Sequence, residues 1–206
     1  MLLIWGVRVR YKTLDGGTFS CPNEGGDRAY ERKEAKRWFS LFWIPLIPLN
    51  VLGDLVECQS CGHTYDPRVL TQPTTAQMMD DLANAMRHAV VSVATSHGQP
   101  SDAVTDGALE VMQRYSDTPY TGRNLKDDLR SLRRSDLDGA FSKVTDTLNS
   151  HGREQLLVAC LEVAVADGSI APERLEAVRD VGAALGMSPA HIKGVIDTAE
   201  ERLFGR

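Results

Sequence analysis

The sequence lacks a hydrophobic run that could cross a membrane. Its longest apolar run, Leu41 to Leu49, contains two prolines and is far shorter than the roughly 20 residues that a membrane-spanning helix needs. Aromatic residues are scarce, at 6% of the chain, and the segment before Arg8 is too short for a secretory signal. Hydrophobic residues make up an ordinary 42%. These features exclude a membrane-spanning chain and predict a cytoplasmic protein with a folded core.

Cysteine is also scarce, with four residues in a chain of 206, which is too few for a scaffold held by disulfides. Cys160 stands alone in an apolar helical run, and we interpret it as a small core residue because free cysteine is among the most buried residue types. The other three, Cys21, Cys58 and Cys61, lie in the first segment at spacings that are typical of metal ligands.

Charge is unevenly distributed along the chain. Residues 1–70 carry a net charge of +1, and residues 71–206 carry a net charge of −6. An acidic body argues against duplex nucleic acid as a partner, because phosphate contacts need a basic face. One basic cluster, between Arg28 and Arg37, is interleaved with acidic residues. We interpret it as a solvated strand or loop, with a contact to anionic lipid or nucleic acid as the alternative.

The first 70 residues show the pattern of short β-strands. Apolar residues alternate along Leu3 to Arg10, which is the period of a half-buried strand. Asp15-Gly16-Gly17 indicates a turn. We interpret the aromatic and apolar run 38–49 as a core strand, with a protein-binding or peripheral membrane surface as the alternative. Further strands are predicted at 18–21 and 55–58.

Cys58-Gln59-Ser60-Cys61-Gly62 has the form of a knuckle that presents two thiolates to one zinc ion. The two-residue spacer lets both sulfur atoms converge, and the glycine allows the tight turn. A second knuckle is incomplete, because Glu24 stands where a second cysteine is expected after Cys21. The sequence therefore predicts one Zn²⁺ held by Cys21, Glu24, Cys58 and Cys61. Two alternatives stay open: His63 as the fourth ligand, or a ribbon without metal.

Residues 19–66 resemble a family of small zinc ribbons. The shared features are the knuckle positions, the segment Arg37-Trp38-Phe39, and Phe42, Pro45 and Pro48. This sequence departs from the family pattern at Glu24, where the family has cysteine. The resemblance implies a structural or interaction module and no catalysis.

From residue 71 onward the sequence changes to helical periodicity. Thr74 and Gln77 have the spacing of a capping box at the start of a helix. We predict an α+β chain with a small β-rich, zinc-ribbon-like domain at 1–70, a linker at 71–76 and an all-helical domain at 77–206. The predicted helices are seven, near 76–95, 102–115, 123–134, 136–149, 152–166, 172–185 and 189–204.

The helical segment repeats itself at an offset of 70 residues. The shared order of helix, glycine, helix, proline and helix predicts an internal duplication, in which 136–149 joins two three-helix units. The segment 152–166 is apolar nearly all round and is the expected central helix. The repeated residues are Ala89, Val93, Ala94, Gly98, Val111, Pro119 and Asp127, which match Ala159, Val163, Ala164, Gly168, Val181, Pro189 and Asp197.

The segment that begins Ala166-Asp167-Gly168-Ser169-Ile170 resembles the TerB-like family of tellurite-resistance proteins, and the N-terminal domain of a membrane-linked DnaJ-type co-chaperone is similar. The resemblance covers about residues 77–204. It implies an acidic cation patch near this turn, for which the candidates are Glu162, Asp167 and Glu173. Arg174 takes the place of the family's glutamate, so we expect a weak cation site at most.

The function classes follow from these features. The chain has no phosphate-binding glycine loop, no Gly-x-Ser-x-Gly and no His-Glu-x-x-His motif, so we predict that it is not an enzyme. The leading hypothesis is a non-enzymatic interaction or scaffold protein of a stress response, linked to tellurite or metal-oxyanion resistance and bound to a protein partner. The alternative is a co-chaperone-like or membrane-proximal adaptor of envelope stress, with a peripheral membrane contact through 38–49.

Overall fold

The structure is a computed structural model that describes residues 5–41, 44–133 and 136–204. The chain divides into two compact units, Met1–Gln77 and Met78–Arg206. Within the described residues, an antiparallel sheet is followed by seven α-helices. The predicted α+β class is therefore confirmed.

Four antiparallel strands form one sheet in the order β1-β2-β3-β4. Three of them, β1 (Trp5–Cys21), β2 (Gly26–Leu41) and β3 (Ile44–Cys58), make a long ribbon, and β4 (Thr64–Tyr65) is a short strand beside β3. A strand of the length of β1 spans about 55 Å, so the ribbon extends far beyond its small core. That core lies at one end and consists of Phe19, Cys21, Val56 and Cys58.

Asp15-Gly16-Gly17 is not a turn, contrary to the sequence prediction. β1 continues through it with a bulge, because its pairing with β2 shifts just before Asp15. The Asp15 carboxylate forms an ion pair with Arg32 at 2.5 Å, and a side chain at Gly16 would lie 2.8 Å from the carbonyl oxygen of Tyr30. Gly16 therefore allows the two strands to approach closely at the bulge, and it does not reverse the direction of the chain.

The prediction of a core strand over 38–49 is wrong for the part that lies in β3. The side chains there are 47 to 61% exposed, because the core cluster of the described ribbon lies at its other end. Phe42 and Trp43 lie outside the described residues. The exposed side chains are Ile44, Leu46, Ile47 and Leu49.

The helices begin close to their predicted positions. Thr74 and Gln77 form the expected capping box: the Gln77 N–H donates to the Thr74 hydroxyl at 3.2 Å, and the Thr74 N–H donates to the Gln77 side chain at 2.8 Å. A short 3₁₀ helix at Pro67–Thr71 precedes it. The helices are α1 (Thr75–Thr95), α2 (Asp102–Arg114), α3 (Gly122–Ser131), α4 (Leu137–Phe141), α5 (Ser150–Ala164), α6 (Pro172–Ala184) and α7 (Pro189–Phe204).

α4 is shorter than the predicted helix 136–149. It ends at Phe141, and isolated turns follow it. The Thr145 hydroxyl donates to the Phe141 carbonyl oxygen at 2.9 Å, and the Thr147 hydroxyl donates to that of Val144 at 2.8 Å. Hydroxyl side chains that bond to the backbone in this way compete with a continuous helix. The spacing of hydrophobic residues, from which the helix was predicted, carries no information about that competition.

The backbone shows the predicted duplication. α2 begins at residue 102 and α6 at residue 172, and both have 13 residues. Gly98 and Gly168 precede them with φ values of +90° and +84°. Each of these glycines donates its N–H to the carbonyl oxygen three residues earlier, at 3.2 and 2.8 Å. These matches at α2 and α6 agree with the predicted internal duplication.

One core joins the helices. All seven contribute buried side chains to it, and none of the described helices is long and apolar enough to span a membrane. α5 is the central helix that the sequence predicted, since its apolar residues are buried nearly all round. These residues are Leu156, Leu157, Ala159, Cys160, Leu161, Val163 and Ala164.

Candidate metal centre

Two turns with the same backbone structure lie at the cored end of the ribbon. In the turn after β1, the Gly25 N–H donates to the Cys21 carbonyl oxygen at 2.9 Å. In the turn after β3, the Gly62 N–H donates to the Cys58 carbonyl oxygen at the same distance. Gly25 and Gly62 have φ values of +66° and +70°, in the left-handed region that favours glycine. The incomplete knuckle therefore folds as the complete one does.

Glu24 occupies in the first turn the position that Cys61 occupies in the second. Its side chain crosses to the other turn, where it accepts a hydrogen bond from the Ser60 hydroxyl at 2.9 Å. It also pairs with Arg28 at 2.6 Å. The hydrogen bonds from Ser60 and Arg28 lower the pKa of the Glu24 carboxyl. Glu24 is thus ionised at the edge of the site. Its carboxylate is not one of the groups that lie within ligand distance of one another in the structure.

Cys21, Cys58 and Cys61, here called the thiol cluster, bring their sulfur atoms within 4.8 Å of one another. The sulfur atoms of Cys21 and Cys61 are 3.8 Å apart. A tetrahedral zinc ion with 2.3 Å bonds to sulfur requires a sulfur–sulfur distance of about 3.8 Å. A disulfide would require about 2.0 Å, and all the cysteines are free. The spacing of these three thiols therefore fits a metal ion.

Backbone N–H groups surround the sulfur atoms. A hydrogen bond from the Cys61 backbone lowers the pKa of the Cys58 thiol, but burial and the neighbouring thiols raise it overall. A hydrogen bond from the His63 backbone lowers the pKa of the Cys61 thiol. The thiolate is the form that binds a metal ion, and these N–H groups stabilise its charge.

Tyr65 belongs to this site, and the sequence reasoning missed it. β4 pairs with β3 so that Tyr65 lies opposite Val56, and its hydroxyl lies 3.5 Å from the Cys21 sulfur and 3.8 Å from the Cys61 sulfur. The contact with Cys21 and burial raise the pKa of the Tyr65 hydroxyl, so it keeps its proton and can donate it to a thiolate. The available signal in the sequence was an aromatic residue three positions after Gly62 of the knuckle. His63, the alternative ligand, is exposed and is not part of the thiol cluster.

The three residues of the predicted acidic patch do not converge. Each carboxylate has a partner of its own, an arginine or a histidine side chain. Within the described residues, the thiol cluster is the group that brings three metal-binding side chains within ligand distance. The acidic pairs are Glu162 with Arg114, Asp167 with Arg174 at 2.7 Å, and Glu173 with His97 at 2.9 Å.

Arg174 is a buried cation at the duplicated turn. In the repeat it corresponds to Val104, and both side chains are buried. Its guanidinium donates to the Asp167 carboxylate at 2.7 Å and to the Ala164 carbonyl oxygen at 3.3 Å. The hydrogen bond from Arg174 lowers the pKa of the Asp167 carboxyl. The guanidinium therefore supplies a positive charge at the turn where the family resemblance implies a bound cation.

Asp128 on α3 is a buried carboxylate that the sequence reasoning also missed. The Arg87 guanidinium of α1 binds both of its oxygens, with Nε at 2.7 Å from one of them. The Tyr120 hydroxyl donates to the same oxygen at 2.5 Å. Burial raises the pKa of Asp128, but the hydrogen bonds from Arg87 and Tyr120 outweigh it and lower the pKa overall. This network joins α1 to α3 and is a structural feature.

The comparisons with known proteins concern mainly the helical unit. The family model described as tellurite resistance protein TerB matches residues 74–195, which is more than half of the chain. No curated protein and no solved structure matches the chain. The resemblance stated from the sequence is confirmed for the helical region, and the sheet with its thiol cluster is compatible with a zinc-ribbon-like domain. The chain belongs to the TerB family.

Proposed function

We propose that the protein is a non-enzymatic scaffold of a stress response, linked to resistance against tellurite or related metal oxyanions, with a structural zinc ion in its N-terminal unit. Membership of the TerB family supports the link to tellurite. The thiol cluster carries the proposal, because two of its cysteines, Cys21 and Cys58, are 0% exposed. Structural zinc sites are closed in this way, whereas catalytic sites keep a coordination position open.

We assign Glu24 as the fourth ligand of this zinc ion. Its backbone position matches that of Cys61 in the equivalent turn, and its carboxylate already lies against Ser60, which precedes Cys61. A carboxylate oxygen is an accepted zinc ligand. Little opposes its movement to the metal, because its ion pair with Arg28 is exposed to solvent and exposed ion pairs are weak.

Two reactive residue types in the helical unit have structural roles, which favours a scaffold over an enzyme. Cys160 is fully buried, and burial raises the pKa of its thiol to about 12. Such a thiol is not a nucleophile at neutral pH. The buried Asp128 carboxylate is held by Arg87 and Tyr120, so it is not available as a general base.

The proposal is tested in cells that lack the chain, by measuring how their protection against tellurite depends on the amount of the protein that is supplied. Its expression is raised in steps, and survival on tellurite is measured at each level. A scaffold that joins two partners protects best at an intermediate level, because excess copies bind the partners separately by mass action. We expect this maximum, and we expect its loss when Cys58→Ser and Cys61→Ser are combined.

Met79→Ser, an exposed change in the helical unit, is the matched control and should keep the maximum. Protection that rises to a plateau and stays there would support an enzyme and contradict the scaffold. Equal survival of cells with and without the chain would contradict the link to tellurite.

A further inference from the structure

The half of the ribbon away from the thiol cluster is both basic and apolar. It comprises 5–14 of β1, 36–41 of β2 and 44–53 of β3, and we call it the distal half. These segments contain five Lys or Arg residues and no Asp or Glu. Among the described residues, all the large exposed apolar side chains lie in the distal half except Met79 and Leu203.

The two properties separate onto opposite faces of β1. Successive side chains of a strand point to opposite sides of the sheet, and the pairing of β1 with β2 is regular over this stretch. An exposed apolar face and an exposed basic face result. The apolar face carries Val7, Val9 and Tyr11, and the basic face carries Arg8, Arg10 and Lys12.

Both neighbouring strands extend the apolar face, and β2 also extends the basic one. The register aligns Val7 with Phe39 and Phe39 with Ile47, so this row of the apolar face continues across all three strands. Arg37, which lies opposite Val9, adds one basic side chain to the same face. On the basic face, the Lys36 ammonium group lies over the Trp38 ring, 5.9 Å from its centre. An indole beside a basic side chain is typical of the interface between a membrane and water.

We propose that the distal half binds the surface of an anionic lipid bilayer. An amphipathic segment lies in the interface with its apolar face among the lipid headgroups, and basic residues add attraction to anionic lipids. A ribbon of three strands is only about 10 Å wide. Arg and Lys side chains on the far face are therefore long enough to reach the headgroups around its edges.

The charge and the apolar face together favour this partner over two others. A second copy of the chain would bring two distal halves of like charge together, which is unfavourable. A nucleic acid would use the basic face for its phosphates and would leave the apolar face in water. The bilayer surface uses both faces, and this inference goes beyond the proposed scaffold role.

The first experiment measures binding of the full chain to lipid vesicles. One set contains equal parts of phosphatidylglycerol and phosphatidylcholine, and the other contains phosphatidylcholine alone. All three tryptophans lie within the first 43 residues, so a blue shift of tryptophan fluorescence reports on this part of the chain. We expect the shift and co-sedimentation with the anionic vesicles only. Binding should fall steeply at 1 M salt, where charges are screened beyond about 3 Å.

The second experiment compares variants of exposed residues. Each basic residue near an anionic surface contributes about fivefold to binding, so reversal of charge by Arg10→Glu, a change of two charges, should weaken binding about 25-fold. Ile47→Asp should weaken it about tenfold through loss of the apolar contact. Arg123→Glu and Met79→Asp, which are exposed in the helical unit, are the controls and should leave binding unchanged. Circular dichroism verifies that each variant is folded.

Failure of the chain to bind anionic vesicles would overturn the proposal, and so would unchanged binding of both Arg10→Glu and Ile47→Asp. Tighter binding to a single-stranded oligonucleotide than to the vesicles would assign the distal half to nucleic acid instead. A dimer that forms without lipid and is lost in Ile47→Asp would assign it to a second copy of the chain.

Discussion

The two units of the chain use apolar side chains in opposite ways. In the helical unit, all seven helices bury side chains in one core. The sheet fully buries only four residues of its own core cluster, and two of them are cysteines of the thiol cluster. A small domain with so little core needs a staple such as a metal ion. The comparison teaches that hydrophobic burial stabilises the helical unit, whereas the sheet has so few buried residues that a metal ion on its thiols would stabilise it strongly.

Removal of the metal should have the largest effect and should separate the two units. Structural zinc contributes on the order of 10 kcal/mol to the folding of small domains. A zinc chelator should therefore abolish amide protection in β1 to β4 and leave α1 to α7 protected, as hydrogen exchange with mass spectrometry can measure. Because thiolates bind zinc only when deprotonated, acid should release it too. Unchanged protection in the sheet after complete zinc removal would show that the ribbon needs no staple.

Truncation of one apolar side chain in each unit should sharpen the comparison. Leu157 is fully buried in the helical core, and Leu157→Ala should lower the free energy of unfolding by about 3 kcal/mol. Ile47 is 55% exposed in the ribbon, and Ile47→Ala should change it by at most about 0.5 kcal/mol. Urea titrations followed by circular dichroism measure both. A similar loss of unfolding free energy at the two positions would contradict the difference in burial between the two units.

Loss of the buried carboxylate should destabilise the helical unit less than loss of a core leucine. Asp128→Asn removes charge-assisted hydrogen bonds to Arg87 and should cost about 2 kcal/mol at pH 7. The folded pKa of Asp128 lies below its usual value, which is near 4 in the unfolded chain. Its contribution is therefore complete above about pH 4 and is lost as the pH falls through the lower folded pKa.

Urea titrations at pH 7 and pH 3 check this prediction. The difference in stability between the protein and Asp128→Asn should shrink at the lower pH. Asp127→Asn, at an exposed neighbouring position, is the control and should have little effect at either pH. If the difference in stability between the protein and Asp128→Asn stays constant with pH, the stabilising role assigned to the Asp128 charge is contradicted.

A cysteine at position 24, which completes the incomplete knuckle, should tighten the binding of zinc. Glu24→Cys places a fourth thiolate at the position equivalent to Cys61, and we expect zinc to bind about tenfold more tightly, which equals about 1.4 kcal/mol. Glu24→Gln, which removes the charge but keeps the shape, should weaken binding. Competition with a coloured chelator measures both. A Glu24→Cys protein that binds zinc no better would show that Glu24 lies outside the metal site.

The smallest effect is expected from calcium or magnesium on the helical unit. Divalent cations need several oxygen ligands on one ion, whereas Glu162, Asp167 and Glu173 are each paired with a different arginine or histidine side chain. Stabilisation by a ligand depends on its concentration relative to the dissociation constant. The melting temperature should therefore stay nearly constant at sub-millimolar metal. A rise of several degrees that Asp167→Asn abolishes would restore a cation site at this turn.

Local signals in the sequence predicted much of this fold. Thr74 and Gln77 mark the start of α1 through their own side chains, and the pair Gly98 and Gly168 marks the duplication. The spacing of Cys58 and Cys61 predicted that their sulfur atoms converge, because both residues lie in one turn and the signal is again local. The contact of Tyr65 with the thiols depends on the register between β3 and β4, which no short pattern encodes.

Exposure of the distal half also lay beyond sequence patterns. Apolar residues such as Ile44 and Ile47 have the same spacing whether or not a second layer covers them. The length of the strands was underestimated because the glycines near Asp15 resemble a turn until the partner strand is known. The early end of α4 is accompanied by hydroxyl groups that bond to the backbone, and whether such bonds compete with a helix depends on the neighbouring packing.

Arg174 has a consequence for the environment in which the helical unit can work. A metal ion held at a turn exchanges with solution, so the turn's shape follows the supply of that ion. The guanidinium of Arg174 beside Asp167, by contrast, is covalently attached to the chain. No dilution, chelator or competing ion can remove it. The second half of the duplicated body therefore keeps its geometry at this turn while the ionic composition around it changes.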